Sequence, residues 1–176
     1  MNIKSLLLSL VAVVCLAPLS RAADVSITLT NVHMCCQKCV DGANKAVSKV
    51  DGATAVPDKT ARTVVITAPD TATAQKAVDA LTKAGFYGGC GDASIKIDGE
   101  TGAKGEQVKT LKIKGVHLCC PSCVKAVDKA VKSVPGVTGE TAAKNVEVFE
   151  VTGDFKDTDV LEALKKAGLL GKEVSE

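Results

Sequence analysis

From residue 24 onward the apolar positions alternate between two periods. In "VSITLT", Val25, Ile27 and Leu29 fall on one side of an extended chain, and Leu111 and Ile113 in "LKI" do the same further on. Helical spacing follows each strand. Val40, Ala43, Val47 and Val50 lie three or four residues apart, and Val124, Val127, Val131 and Val134 repeat that spacing. These segments predict amphipathic helices, stopped by "DG" at 51 and "PG" at 135. Two short strands are expected next in each case, near 53–56 and 63–67 and near 138–141 and 145–151. A second helix then presents Ala74, Ala77, Val78 and Leu81, or Val160, Leu161, Leu164 and Ala167, and each ends in "KAG". The segment "SIKI" at 94–97 reads as a closing strand for the first set, and "KEVS" at 172–175 for the second.

The two series are copies of one unit. "CVDGANKAVSKVDGAT" aligns with "CVKAVDKAVKSVPGVT", and "AVDALTKAGF" with "VLEALKKAGL", so the chain duplicates a unit of about 75 residues. The order strand, helix, strand, strand, helix, strand predicts an α+β class: two ferredoxin-like βαββαβ domains in tandem, at 23–97 and 108–176. Between them, "DGETGAKGEQ" at 98–107 carries three glycines and no large apolar side chain. It reads as a flexible linker spanning about 17 Å by random-coil scaling, which would let the domains move independently.

The N-terminus changes the picture of location. Residues 1–22 have a basic start at Lys4, an apolar run from Leu6 to Leu16, then Pro18 and small residues. This is the pattern of a secretory signal peptide cleaved after "SRA", which predicts export to a periplasm or the extracellular space. The run is too short for a retained membrane span. The branched Val14 before Cys15 argues against a lipid anchor. Cleavage removes Lys4 and Arg21 from 22 basic residues, leaving 20 against 20 acidic ones. A near-neutral chain with no Trp, one Tyr and three Phe has no electrostatic or stacking footprint for nucleic acid. A hydrolase or transferase reading finds no nucleophile triad, phosphate loop or set-apart carboxylate pair, so no enzyme is expected.

The chemistry lies in the cysteines. "HMCCQKC" at 33–39 returns as "HLCCPSC" at 117–123. Cys36 with Cys39, and Cys120 with Cys123, have the CxxC spacing that lets two sulfurs converge across one helical turn. Cys39 and Cys123 fall near helix starts, where free N–H groups and the dipole favour thiolates. Soft thiolates on an exposed loop select Cu(I) best, with Zn(II), Hg(II) and Cd(II) as alternatives. Further candidate donors are His33, Cys35 and Cys90 in the first domain and His117 and Cys119 in the second. Adjacent cysteines direct their side chains apart, so Cys35 and Cys119 stand either as ligands or as spare thiols. The chain's two histidines both precede a cysteine pair by two positions, which favours a donor or ligand-orienting role over a purely local one.

In these motifs the chain resembles the heavy-metal-associated domain family of copper chaperones, copper-pump N-termini and bacterial mercury-binding proteins. The resemblance covers nearly all the chain after residue 22 and rests on strand, CxxC, helix and the "AGF" turn at 84–86. It implies that Cys36, Cys39, Cys120 and Cys123 bind metal. It also implies that the turn bearing Cys90 approaches the metal loop, where Cys90 either adds a third sulfur or is incidental. The family usually has Gly-Met-x before the first cysteine, whereas this chain has "NVHMCC" and "GVHLCC". Either Met34 and Leu118 take the place of the family's buried methionine, or Gly115 is the anchor and the loop is longer. The expected function is a monomeric metal carrier that scavenges or transfers a soft ion, with a donor or acceptor protein as partner. Rival readings are a thiol–disulfide redox protein and a structural Zn(II) module closed by donors such as His33, Cys36, Cys39 and Cys90.

Overall fold

The structure, a computed structural model, describes residues 24–174. The expected signal peptide and the end of the closing segment at 172–175 lie outside the described residues. The first half contains β1 (Val25–Thr30), α1 (Gln37–Val47), β2 (Thr54–Asp58), β3 (Thr63–Ala68), α2 (Thr71–Lys83) and β4 (Gly89–Cys90). The second contains β5 (Gln107–Lys114), α3 (Pro121–Lys132), β6 (Val137–Glu140), β7 (Val148–Lys156), α4 (Asp157–Lys166) and β8 (Lys172–Glu173). The sheets run β2-β3-β1-β4 and β6-β7-β5-β8, with every pairing antiparallel. This is the ferredoxin-like arrangement, built twice.

The periodicities translate directly into burial. Ile27 and Leu29 of β1 and Val64 and Ile66 of β3 turn inward, as do Leu111 and Ile113 of β5. Onto them pack Cys39, Ala43 and Val47 of α1, Ala74, Ala77, Val78 and Leu81 of α2, and the matching positions of α3 and α4. Asp70 caps α2 by accepting a hydrogen bond from the Thr73 amide at 2.7 Å. Pro121 opens α3, where its missing N–H costs nothing.

Two expectations need correction. The strand that closes the first sheet is Gly89–Cys90, paired with Leu29 and Thr30, and not 94–97. Ser94 is held in a turn by Asp92, and the N–H and C=O of Lys96 bond the Gln75 side chain at 2.8 and 2.7 Å. With its backbone satisfied by α2, this segment has no ladder to join, although Ile95 is still buried. The segment 98–107, expected to be flexible, is tied along the second half. The buried Asp157 carboxylate accepts from the Lys104 and Gly105 amides, both at 2.8 Å. The Glu173 amide donates to Thr101 O at 2.7 Å, and Lys172 pairs with Asp98 at 3.6 Å.

The halves also pack on each other. Asn31 and Gly115, equivalent positions in the repeat, both take left-handed backbone (φ 59° and 82°) just after their first strands. Each such turn receives the glycine turn that ends the second helix of the opposite half. Gly85, at φ 83°, has no room for a Cβ, which would overlap Gly115 O and lie 2.6 Å from His117 N. Gly168, at φ 84°, stands in the same way against Asn31 O and His33 N. His33 N and Tyr87 N donate to Gly168 O at 3.1 and 3.2 Å, and Leu170 N donates to Gly85 O at 3.1 Å. Asn31 Nδ2 reaches Lys166 O and Arg62 Nη2 reaches Ala167 O. The buried side chains of both halves form one contiguous core.

Replacing Asp157 with Ala leaves two linker amides without their acceptor in a buried setting. Urea unfolding is expected to show a loss of about 1–3 kcal/mol, the scale of a buried charge-assisted hydrogen bond.

Candidate metal centre

Cys36 and Cys120 are the N-caps of α1 and α3, extended at φ −157° and −155°, with Cys39 and Cys123 one turn into the helices. The Cys39 and Cys123 amides donate to Cys36 O and Cys120 O, both at 3.0 Å. This turn brings both sulfurs of each CxxC to the helix end, 4.0 Å apart for Cys36 and Cys39 and 3.7 Å for Cys120 and Cys123. Because the glycine turns dock on the opposite loops, the two helix ends face one another.

Six sulfurs therefore meet. Cys35 Sγ lies 3.3 Å from Cys120 Sγ and 3.5 Å from Cys123 Sγ. Cys119 Sγ lies 3.5 Å from Cys39 Sγ and 3.9 Å from Cys36 Sγ. Cys36 and Cys120 are 3.7 Å apart, and Cys39 and Cys123 3.8 Å. All are free thiols. Although adjacent in sequence, Cys35 and Cys36 both bring their sulfurs within 4.8 Å of one another and of Cys120. Cys35 and Cys119 thus lie within the group of six sulfurs.

The histidines cross over as well. His33 groups with Cys35 and with Cys123 of the opposite half, within 4.8 Å. His117 lies over Phe86 of the first half, ring centroids 4.5 Å apart. Its imidazole edge fills the space left by Gly42 on α1, where a Cβ would lie 3.0 Å from Cε1. The Nε2 atoms of His33 and His117 are both buried without a hydrogen-bond partner. Cys90 is placed elsewhere: it pairs with Leu29 at the sheet edge and belongs to none of the donor groups, so the tetrahedron of His33, Cys36, Cys39 and Cys90 does not assemble. Met34 and Leu118 are both buried in the core, and Gly115 supplies the left-handed turn ahead of the loop.

Protonation within the cluster is uneven. Thiol hydrogen bonding, chiefly from Cys123, holds Cys39 well below the ordinary cysteine range against its own burial, with His117 adding to the effect. Burial pushes Cys120 up, but the Cys123 amide and neighbouring thiols outweigh it and bring the group down to about 6. Burial pushes Cys35 up and Cys119 up to about 12, and Cys123 is raised by its hydrogen bond to Cys39 and then by burial. Burial lowers the His33 pKa. These shifts favour thiolates at Cys39 and Cys120 and thiols at Cys35, Cys119 and Cys123.

Sequence reasoning placed the CxxC pairs but not their meeting. The usable signals were the matched left-handed positions Asn31 and Gly115 and the small residues Gly42 and Ala126 at equivalent positions of α1 and α3. Gly42 receives His117, and Ala126 lies in the cleft that also holds His33.

No known protein-family model and no curated protein sequence matches the chain. Among solved structures, a copper binding domain from HMA7, a P-type ATPase, is similar at 23% identity over 39% of this chain and 97% of that one, with a TM-score of 0.36. The N-terminal domain of PacS from Synechocystis PCC6803 is similar at 19% identity over 39% and 100%, TM-score 0.35. The N-terminal soluble domains of Bacillus subtilis CopA are similar at 19% identity over 88% and 97%, TM-score 0.32. The fold assignment rests on the strand order. Fold and site together define the class: a tandem ferredoxin-like protein with a thiol cluster shared between its halves.

Metal loading must displace the protons held by Cys35, Cys119 and Cys123. Cu(I) added to reduced protein in weak buffer near pH 7 is expected to release protons, and apparent affinity to fall between about pH 8 and about pH 6. An indicator-dye titration measures both; loading without proton release contradicts this picture of the cluster.

Proposed function

We propose that the chain is an exported carrier of the heavy-metal-associated kind, which binds soft metal ions, Cu(I) foremost, and scavenges them or passes them on. The observation that carries this reading is the convergence of six free thiols at two facing helix ends. Sulfur donors without a carboxylate among them select soft, thiophilic ions over Mg(II) or Ca(II). Zn(II), Hg(II) and Cd(II) are secondary candidates by the same chemistry.

Delivery follows from burial. Cys39 and Cys123 are fully buried, whereas Cys35, Cys36, Cys119 and Cys120 are half-buried. A donor or acceptor protein's thiolate approaches at the half-buried sulfurs and bonds the ion before the last original sulfur leaves, so the metal is never free. The inner pair anchors the ion meanwhile. No helix among the described residues is long and apolar enough to cross a membrane, and export rests on the pattern of residues 1–22.

The rival with a specific observation behind it is redox exchange, since Cys35 and Cys120 lie 3.3 Å apart. Anaerobic competition titrations of the reduced protein with Cu(I) and Zn(II) separate the two. The variant C36S/C39S/C120S/C123S is expected to lose more than about 100-fold in Cu(I) affinity, beyond the range of outer-shell changes. Affinity that survives removal of these sulfurs, together with rapid thiol–disulfide exchange by the wild type, favours the redox reading.

A further inference from the structure

We infer that the two halves do not hold one ion each but together build a single polynuclear Cu(I)–thiolate site, completed only when both halves are docked. The inference rests on the metal-binding reading above and concerns how that site is assembled.

Sulfur spacing is the first ground. With a metal–sulfur bond of about 2.3 Å, two sulfurs on one linear ion lie about 4.6 Å apart, and on a trigonal or tetrahedral ion about 3.8–4.0 Å. The sulfur contacts run from 3.3 Å between Cys35 and Cys120 to 4.0 Å between Cys36 and Cys39. These contacts are shorter than a linear ion would set, and those from 3.7 to 4.0 Å come close to the trigonal and tetrahedral spacing. Contacts between halves are as short as those within a CxxC.

Donor topology is the second. The donors fall into four overlapping triads: His33, Cys35 and Cys123; Cys35, Cys36 and Cys120; Cys36, Cys39 and Cys119; and Cys119, Cys120 and Cys123. Every triad mixes residues of the two halves, except that the last lies wholly within the second. All the sulfurs but Cys39 belong to two triads, which is the arrangement of bridging thiolates. Thiolates that bridge pairs of three-coordinate ions imply about four Cu(I) per cluster.

Charge is the third. One monovalent ion compensates one thiolate, and a single Cu(I) leaves most of the partly buried sulfurs protonated or unbalanced. Several ions binding together remove that penalty, so the first ion favours the next and loading is cooperative. His33, whose Nε2 is buried without a hydrogen-bond partner, belongs to one of these triads.

Native mass spectrometry of the reduced chain from residue 23 onward, titrated anaerobically with Cu(I), reads the ion count. The expected result is a monomer in which apo protein and a species with about four Cu(I) dominate at partial loading. Two variants probe the sharing. C35S/C119S keeps both CxxC pairs and is expected to fall to one ion per pair. G168A keeps every thiol and disturbs the docking of the halves, and is expected to do the same, with circular dichroism reporting that secondary structure is retained. Stepwise loading of the wild type with one ion per CxxC, or a multi-ion count unchanged in C35S/C119S, overturns the shared cluster while leaving metal binding intact. A multi-ion species found only in a dimer overturns it too. Absence of any Cu(I) uptake by the wild type contradicts the underlying metal-binding reading instead.

Discussion

Gly85 and Gly168 sit with positive φ against the backbone of the opposite half, where a Cβ would collide with Gly115 O or Asn31 O, and the positions of all six clustered sulfurs depend on that approach. The left-handed turns at Asn31 and Gly115 expose the carbonyl and amide that the glycine turns meet. Asn tolerates that conformation and Gly pays nothing for it, so the two copies reach one geometry with different residues. From there the chain runs directly into the cysteine loops. A shift of one half against the other separates sulfurs that now lie within 4 Å across the interface.

This packing sets up an electrostatic conflict that metal resolves. Thiols gathered in a half-buried space cannot all ionise, because each new anion is repelled by the last and poorly solvated. In the apo cluster the surrounding S–H donors hold Cys39 low and Cys120 is brought down to about 6, while Cys35, Cys119 and Cys123 are raised. Soft cations replace those protons and supply the missing charge. Binding energy then adds to the cohesion of the two halves, since any ligand of the docked form stabilises it by mass action. In the proposed function the half-buried sulfurs serve as the route for exchange and the fully buried pair, Cys39 and Cys123, as the anchor.

The fold was legible because its periods are clean: alternation in β1 and β5 and helical spacing in α1 to α4 each place one apolar face inward. The repeat made the second half readable from the first. The closing strand of the first sheet was misplaced because Ile95 is buried as a strand residue would be, while the Gln75 side chain takes the backbone bonds that would have made a ladder. The 98–107 segment misled through composition. Its glycines are compatible with a linker, and the buried carboxylate that pins it, Asp157, lies about fifty positions downstream. The CxxC pairs were visible as a spacing. Their union was not, since Phe86 and Leu169 look like ordinary core positions and nothing local marks them as facing the other half. Cys35 and Cys119 could not be assigned from one unit alone, because the sulfurs they approach most closely belong to the other half.

X-ray absorption at the copper edge on the fully loaded monomer tests the shared thiolate site most directly. Three-coordinate copper bound mainly by sulfur, with a copper–copper scattering shell, is the predicted spectrum. Two-coordinate copper with no metal neighbour, or a first shell dominated by nitrogen or oxygen, contradicts it.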